Sequence, residues 1–253
     1  MSDAEWAFFE PFIVAIRQPN GRKPGDHRRV LDGVFWIART GAPWRDLPEE
    51  FGKWGSVYRQ FRRWTLAGLW QTILEVLNDT EAVPDNVQMI DSTIVRAHHC
   101  AAGGKRGTPA QDLGRSKGGF TTKVHLLVNG RGLPMKVDVT PGQTSDYRGY
   151  DAVMDNDLPQ PKVLIADKGY DSDAIRANMA ARGGTAMIPA RSSRKDPEPI
   201  DDFIYALRNL VERCINKLKN ARRIATRYDK TATSFLGFIE IVAARLWFRH
   251  LST

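Results

Sequence analysis

Two aspartates stand where an apolar strand is predicted. Asp91 interrupts the apolar run from 87 to 95, and Asp167 directly follows the apolar run from 163 to 166. A charged side chain in such a position is costly unless it faces a cleft, a cation or a partner. Taken alone, each aspartate is better explained as a turn or capping residue.

A third acid, Glu212, lies on a long helix predicted for about residues 201–227. With 100° per residue, one edge of this helix carries four polar residues within about 60° of one another: Tyr205, Arg208, Glu212 and Lys219. An apolar stripe about 110° around the helix is expected to pack on a sheet. A surface ion pair between Arg208 and Glu212 is the alternative, but it leaves Tyr205 and Lys219 unexplained.

The three acids together offer hard oxygen ligands, which Mg²⁺ and Mn²⁺ prefer. Two such ions about 4 Å apart can activate a water or a 3′-hydroxyl and stabilise the leaving oxygen of an in-line phosphoryl transfer. Arg208 and Lys219 would hold the phosphate charge on the same face. These residues therefore suggest metal-dependent phosphoryl transfer, with Asp91, Asp167 and Glu212 as catalytic and metal-binding residues.

The composition is that of a soluble globular chain of 253 residues and 28.5 kDa. Two cysteines, Cys100 and Cys214, cannot form a disulfide framework, so a cytoplasmic location is expected. The longest apolar runs are interrupted by charged residues or proline and are too short to span a membrane. The first twenty residues lack the features of a signal peptide.

The net charge of +8 is concentrated near the end of the chain. Residues 191–253 hold 13 Lys and Arg against 7 Asp and Glu, which is a net charge of +6. A surface that faces nucleic acid and a helix face kept basic for solubility explain this equally well on position alone.

The first third of the chain predicts short helices with caps at Ser2, Asp26 and Ser56. The third helix presents three outward arginines: Arg59, Arg62 and Arg63. This pattern favours a helix-turn-helix module that binds DNA. The alternative is a plain helical bundle whose arginines extend along its surface.

Pro84 marks a change to strand-like patterns, so we predict a helical domain over residues 1–82 and a second domain over 83–253. The order after Pro84 is three strands, helix, strand, helix, strand and two helices. Such an order indicates an α/β fold with a mixed sheet flanked by helices.

The edge residues of the late helix match Y-x₂-R-x₃-E-x₆-K, and in this the chain resembles bacterial insertion-sequence DDE transposases. Residues 90–95 and 166–170 are similar to the family's two aspartate motifs, and 225–230 to the basic segment after its glutamate. Residues 35–64 resemble its N-terminal helical domain. The resemblance covers nearly the whole chain, and some relatives carry a β-rich insertion that is absent here.

The resemblance implies an RNase H-like sheet with Asp91 on its first strand, Asp167 after its fourth and Glu212 on a late helix. It also implies Mg²⁺-dependent cleavage, with Mn²⁺ as a substitute, at terminal inverted repeats, followed by transfer of the 3′ ends into target DNA. The partners would be double-stranded DNA in the nucleoid and a second copy on paired ends. The expected DNA or phosphate contacts are Tyr205, Arg208, Lys219, Arg227, Lys230, Lys168, Arg59, Arg62 and Arg63.

Three further features have weaker explanations. The run His98-His99-Cys100 offers zinc ligands, but adjacent residues rarely chelate one ion, so His98 could instead contact DNA. His125 is expected in the core or at its rim, and residues 103–119 form a basic loop that could order on DNA. A DNA-binding protein without catalysis and a nuclease that does not join ends remain alternative functions.

Overall fold

A computed structural model describes residues 1–16, 26–80, 86–102, 111–116, 118–154 and 158–252. Its first part is helical, with α1 (Asp3–Ala15), α2 (His27–Thr40), α3 (Trp54–Leu66) and α4 (Leu69–Thr80). The predicted caps at Ser2 and Asp26 are confirmed, because each side chain accepts a hydrogen bond from a backbone N–H of the first turn. The cap at Ser56 is wrong: α3 already begins at Trp54, after Lys53.

A seven-stranded mixed sheet forms the centre of the second part. Its strands are β1 (Val87–Ala97), β2 (Gly114–Ser116), β3 (Gly119–Asn129), β4 (Pro134–Pro141), β5 (Val163–Ile165), β6 (Thr185–Met187) and β7 (Thr226–Arg227). β1 is antiparallel to β3, which is antiparallel to β4. On its other side β1 is parallel to β5, which is parallel to β6. This order is the expected RNase H-like sheet, to which β2 and β7 add short pairings.

Helices cover both faces of this sheet. One face packs on α5 (Asp146–Val153) and α6 (Asp173–Ala181) through an apolar cluster that includes Ile90, Leu127 and Leu164. The other face packs on α8 (Asn209–Lys219), α10 (Ala232–Leu251) and the N-terminal helices. Successive side chains of a strand point to opposite faces, so neighbouring residues of β1 pack against different helices.

The N-terminal helices share an apolar cluster with the sheet and α10. The rings of Phe61 on α3 and Phe238 on α10 stack with centroids 4.4 Å apart. Asn78 donates from its side chain to the carbonyl of Met135 at 3.0 Å. The two predicted domains are thus packed together, and the division at residue 82 stays a prediction.

The prediction of one continuous helix over about 201–227 is wrong. The chain forms α7 (Asp202–Tyr205), a 3₁₀ turn (Ala206–Arg208), α8, α9 (Arg222–Ala225) and then β7. At Ala221 the backbone leaves the helical region, and Thr226 and Arg227 pair with the end of β1. A tertiary strand pairing here outweighs local helix preference. The predicted apolar stripe is nevertheless buried: Val211, Cys214, Ile215 and Leu218 lie in the core.

The glycine-rich segment was expected to be one basic loop over 103–119. Residues 103–110 and 117 lie outside the described residues, and Gly114–Ser116 form β2, so this part of the expectation is wrong. Among the helices that the structure describes, none combines the length and the apolar character needed to cross a membrane.

Candidate active site

Asp91 lies in the middle of β1 and faces α8. Its Oδ2 accepts a hydrogen bond from Arg208 Nη2 at 2.9 Å, and its Oδ1 accepts from the backbone N–H of Ser92 at 2.8 Å. Only 11% of the side chain is exposed. Burial, with a smaller effect of the charges of Asp167 and Glu212, raises the pKa of Asp91 to about 6, although Arg208 opposes the shift. The first predicted acid is therefore a buried carboxylate whose pKa depends on the charges of the other two.

Arg208 joins two of the predicted acids. Its Nη2 donates to Asp91 on the sheet and its Nη1 to Glu212 Oε1 at 2.6 Å on α8. Asp91 and Glu212 raise the pKa of Arg208 although burial opposes them. Its Nε is buried and has no hydrogen-bond partner within the described part of the chain. The alternative of a purely surface ion pair with Glu212 is therefore incomplete, since the same guanidinium also reaches the sheet.

Asp167 follows β5 and caps the 3₁₀ turn Lys168–Tyr170, where its Oδ1 accepts from the N–H of Gly169 at 2.8 Å. β5 is parallel to β1 and beside it, so the end of β5 brings Asp167 toward Asp91. Arg191 holds the turn from outside through hydrogen bonds to the carbonyls of Lys168 and Gly169. The second predicted acid thus lies on a turn with several fixed contacts.

The three acids are not arranged closely enough to bind a metal ion without a rearrangement. Among the residues that the structure describes, no three His, Cys, Asp or Glu side chains are grouped closely enough to hold a metal ion. Arg208 lies between Asp91 and Glu212, and its single positive charge only partly compensates the two carboxylates. The donor atoms fit Mg²⁺ chemically because all are carboxylate oxygens. The arrangement fits only if Arg208 releases at least one of its two partners.

Tyr205 and Lys219 extend this edge on both sides of Arg208. Lys219 Nζ donates to Thr93 Oγ1 on β1 at 2.6 Å, and burial lowers the pKa of this lysine. Burial raises the pKa of Tyr205, while Arg208 opposes the rise and the three acids add to it. Of the four edge residues, Arg208 and Lys219 therefore contact β1 directly, and a 3₁₀ turn at Ala206–Arg208 separates Tyr205 from α8.

The other predicted phosphate contacts divide into exposed and buried residues. Lys168 and Lys230 are exposed. Arg227 is fully buried, and its guanidinium donates to the carbonyls of Gln111, Asp112 and Asp229 and to the hydroxyl of Thr122. An interior guanidinium with this many partners does not fit a contact with a surface-bound phosphate. The prediction for Arg227 is therefore corrected to a structural role.

The three arginines of α3 also differ from one another. Arg59 and Arg63 are exposed, as the helix pattern predicts. Arg62 instead donates to Ser234 Oγ at 2.8 Å, at the start of α10. Arg62 thus ties α3 to α10, which leaves Arg59 and Arg63 as the candidates for DNA contact on this helix.

The histidines partly follow expectation. His125 is fully buried, its Nε2 lies 2.8 Å from Thr140 Oγ1, and burial lowers its pKa to about 4. His98 Nδ1 lies 3.1 Å from Cys100 Sγ, and the rings of His98 and Tyr228 are 5.3 Å apart. A contact between His98 and DNA stays a prediction.

Sequence reasoning missed a charged cluster beside the acids. Ser92, Lys123 and Asp146 are joined by hydrogen bonds on the α5 side of β1. No role is predicted from the sequence for Asp146 or Lys123, and Ser92 is noted there only as part of the motif at residues 90–95. The alternation along β1 and β3 places Ser92 and Lys123 on one face, but no spacing in the sequence connects them with Asp146.

The fold and the converging acids define an RNase H-like domain preceded by a helical part. A family model described as "Transposase DDE domain" matches residues 83–247. A second, described as "Putative transposase of IS4/5 family", matches residues 1–74. The chain therefore belongs to the DDE transposases of bacterial insertion sequences, as the resemblance of its motifs indicated.

Known relatives agree with this family, and a known structure has a similar fold. The chain is 38% identical to "Putative transposase for insertion sequence element IS6501" of Brucella ovis over 131 residues, which are 51% of this chain and all of that protein. It is 33% identical to "Insertion element IS402 uncharacterized 16.2 kDa protein" of Burkholderia cepacia over 117 residues, 42% of this chain and 78% of that protein. The piggyBac transposase in a synaptic complex with hairpin DNA has a similar fold, with a TM-score of 0.53 at 11% identity, over 96% of this chain and 71% of that one.

Proposed function

We propose that this transposase cleaves double-stranded DNA at the terminal inverted repeats of its insertion sequence and transfers the 3′ ends into target DNA. The observation that carries the proposal is the link from Asp91 on β1 through Arg208 to Glu212 on α8, with the charge of Asp167 acting on Asp91. The link joins two acids that are far apart in the sequence, and the third acts on Asp91 through its charge. Family membership supports the same chemistry.

The cofactor we propose is Mg²⁺, for which Mn²⁺ can substitute. Asp91, Asp167 and Glu212 would hold it, because carboxylate oxygens are the ligands that this ion takes. When two such ions are bound, they activate the attacking oxygen and stabilise the leaving oxygen. To make room for an ion, Arg208 would have to release one carboxylate, and its guanidinium would then be available to a phosphate oxygen.

The reaction consists of two phosphoryl transfers. In the first, a water oxygen attacks the phosphorus at the end of the element, the P–O bond to the 3′-oxygen breaks, and a 3′-hydroxyl and a 5′-phosphate result. In the second, that 3′-hydroxyl loses its proton and attacks a target phosphodiester, whose own 3′-oxygen leaves. Tyr205, Arg208, Lys219, Lys168 and Lys230 would bind the DNA backbone near these atoms.

The helical part, residues 1–82, would bind the terminal repeats through the exposed Arg59 and Arg63, and residues 83–253 would cut and join. Two repeat ends have to be brought together before both are transferred. We therefore propose that a homodimer acts on paired ends.

Neutral substitutions at the acids test the function. We expect Asp91→Asn, Asp167→Asn and Glu212→Gln each to lower Mg²⁺-dependent nicking of end-containing DNA by about 10³-fold or more, the scale for loss of a main transition-state contact. DNA binding should remain, since removing a negative charge does not weaken a phosphate contact. The matched control is Asp151→Asn, which removes an exposed acid on α5.

Nicking and joining are measured separately with labelled repeat ends and a target plasmid. Wild-type protein that nicks but yields no joined product would be a nuclease. Protein that binds the ends and does neither would be a DNA-binding protein without catalysis. Unchanged nicking in one acid variant would remove that residue from the site.

A further inference from the structure

A second charged cluster lies on the other side of β1 from Arg208. Ser92 Oγ donates to Asp146 Oδ1 at 2.5 Å, and Lys123 Nζ donates to the same oxygen at 2.8 Å. Ser92 is the neighbour of Asp91 on β1, Lys123 lies on β3, and Asp146 is the first residue of α5. We call these three residues the Asp146 junction. It joins two strands and a helix immediately behind the first catalytic acid.

The same carboxylate also approaches the turn that carries the second acid. Asp146 Oδ2 lies 2.9 Å from the point where a Cβ on Gly169 would stand, and Asp167 Oδ1 lies 2.8 Å from that point. A side chain at residue 169 would collide with both oxygens. Asp146 is therefore in close contact with the backbone of Gly169, whose N–H binds Asp167.

The negative charge of Asp146 is balanced within the junction by Lys123. The Lys123 side chain is 10% exposed and pairs directly with Asp146. Burial acts to raise the pKa of Asp146, but the hydrogen bonds from Lys123 and Ser92 outweigh it and the pKa is lowered. Asp146 is thus an anion at neutral pH with a fixed partner, which suits a supporting role rather than exchange of ligands.

We propose that Asp146 is a positioning residue, which sets the separation of Asp91 and Asp167 by holding Ser92 on one side and the Gly169 turn on the other. This inference rests on the proposed function of those two acids. Groups that orient metal-binding carboxylates typically affect metal affinity or activity by 10- to 100-fold. Asp146 reaches the neighbourhood of both acids at once.

The main test is Asp146→Asn, compared with Asp151→Asn on the same helix. Asparagine keeps an oxygen for Ser92 but removes the charge opposite Lys123. We expect nicking at the Mn²⁺ concentration that half-saturates wild type to fall about tenfold, with a smaller loss at high Mn²⁺. Asp151→Asn should behave as wild type at every concentration, because Asp151 is exposed.

Hydrogen exchange of the metal-free protein gives a readout besides activity. In Asp146→Asn we expect several-fold faster exchange at Ser92 and Gly169, with unchanged exchange in α10. A merely structural role would raise exchange throughout the chain and leave the Mn²⁺ dependence of nicking unaltered. That result would overturn the inference.

A milder variant, Ser92→Ala, covers the case in which Asp146→Asn does not fold. It removes one hydrogen bond of the junction, and a smaller shift in the same direction is expected at Gly169 and in Mn²⁺ dependence. Wild-type values for both would contradict the inference. Failure of wild-type protein to nick would instead contradict the proposed function, and the exchange rates would still test the junction.

Discussion

Two regions of the molecule contain arginines beside carboxylates but differ in how completely the charges are paired. One is the edge that carries the three acids, and the other, which we call the joint, consists of Arg223, Arg227 and Asp229. At the edge, Arg208 is shared between two carboxylates, its Nε has no partner among the described residues, and Asp91 keeps a raised pKa. At the joint, Arg223 and Arg227 are almost entirely buried and their nitrogens donate to protein oxygens.

The joint connects the helical part with the sheet. Arg223 forms a two-pronged pair with Asp229 at 2.9 and 3.1 Å and donates to the carbonyl of Ala42, just beyond α2. Its guanidinium also lies 5.1 Å from the ring centre of Phe238 on α10. Arg227 reaches the segment before β2 and the side chain of Thr122 on β3.

This difference suits the joint to stabilising the fold and the acid edge to binding a ligand. Buried charges stabilise a fold only when all their hydrogen bonds are made, as at the joint. Charges left partly uncompensated, as at the acid edge, lower stability but can exchange their partners for a ligand.

The same substitution at two arginines should lower stability by very different amounts. We expect Arg227→Met to lower the free energy of unfolding by about 4 kcal/mol, because it leaves several buried acceptors without donors. Arg208→Met should lower it by about 2 kcal/mol or less, because Glu212 is half exposed and the buried Asp91 can take up a proton once its cation is gone, while nicking is reduced. Urea unfolding measures both, and equal losses of stability would remove the distinction.

Asp91→Asn should stabilise the metal-free protein in a pH-dependent way. The pKa of Asp91 is about 6 in the folded chain against an ordinary value of 3.8. The folded state thus holds its proton more tightly, and wild-type stability falls as the pH rises from about 4 to 6. Asparagine does not titrate, so its advantage should grow over that range to at most about 3 kcal/mol and then stay constant.

Urea unfolding at pH 4, 5, 6 and 8 without divalent ions measures this difference. The control is Asp151→Asn, for which no such trend is expected. An advantage that is equal at all four pH values would contradict a buried, undercompensated Asp91.

The arginines of α3 give the smallest effects. Arg59→Ala and Arg63→Ala should each leave stability within about 0.5 kcal/mol and reduce the salt dependence of DNA binding by about one unit of slope. Arg62→Ala should instead cost about 1.5 kcal/mol of stability, because it loses a charged hydrogen bond to Ser234. Titrations of repeat DNA at several salt concentrations measure the slopes, and a full slope in both surface variants would exclude this face.

Much of the fold could be predicted because local patterns and tertiary structure agree. The order of the longer elements from β1 to β6 follows from periodicity, although β2 and β7 were not predicted, and the buried stripe of α8 was placed correctly. The convergence of Asp91 and Glu212 follows from one acid on a strand and another on the polar edge of a helix that packs on it.

Other features depend on partners that are distant in the sequence. The helix break at Ala221 and the pairing of Thr226 with Arg96 give no local signal. Arg227 lies in a basic segment, yet its acceptors come from residues 111, 112 and 122. Composition alone cannot distinguish such an arginine from one that faces DNA.

Residue identity and short-range periodicity are enough to predict the family, the types of the three acids and the faces of the elements that carry them. Which charges are compensated depends on contacts between distant segments: Arg208 between two acids, Arg227 in the interior, and Asp146 behind β1. Electrostatic energy depends on distance and burial in three dimensions, and neither is encoded in the spacing of residues along the chain.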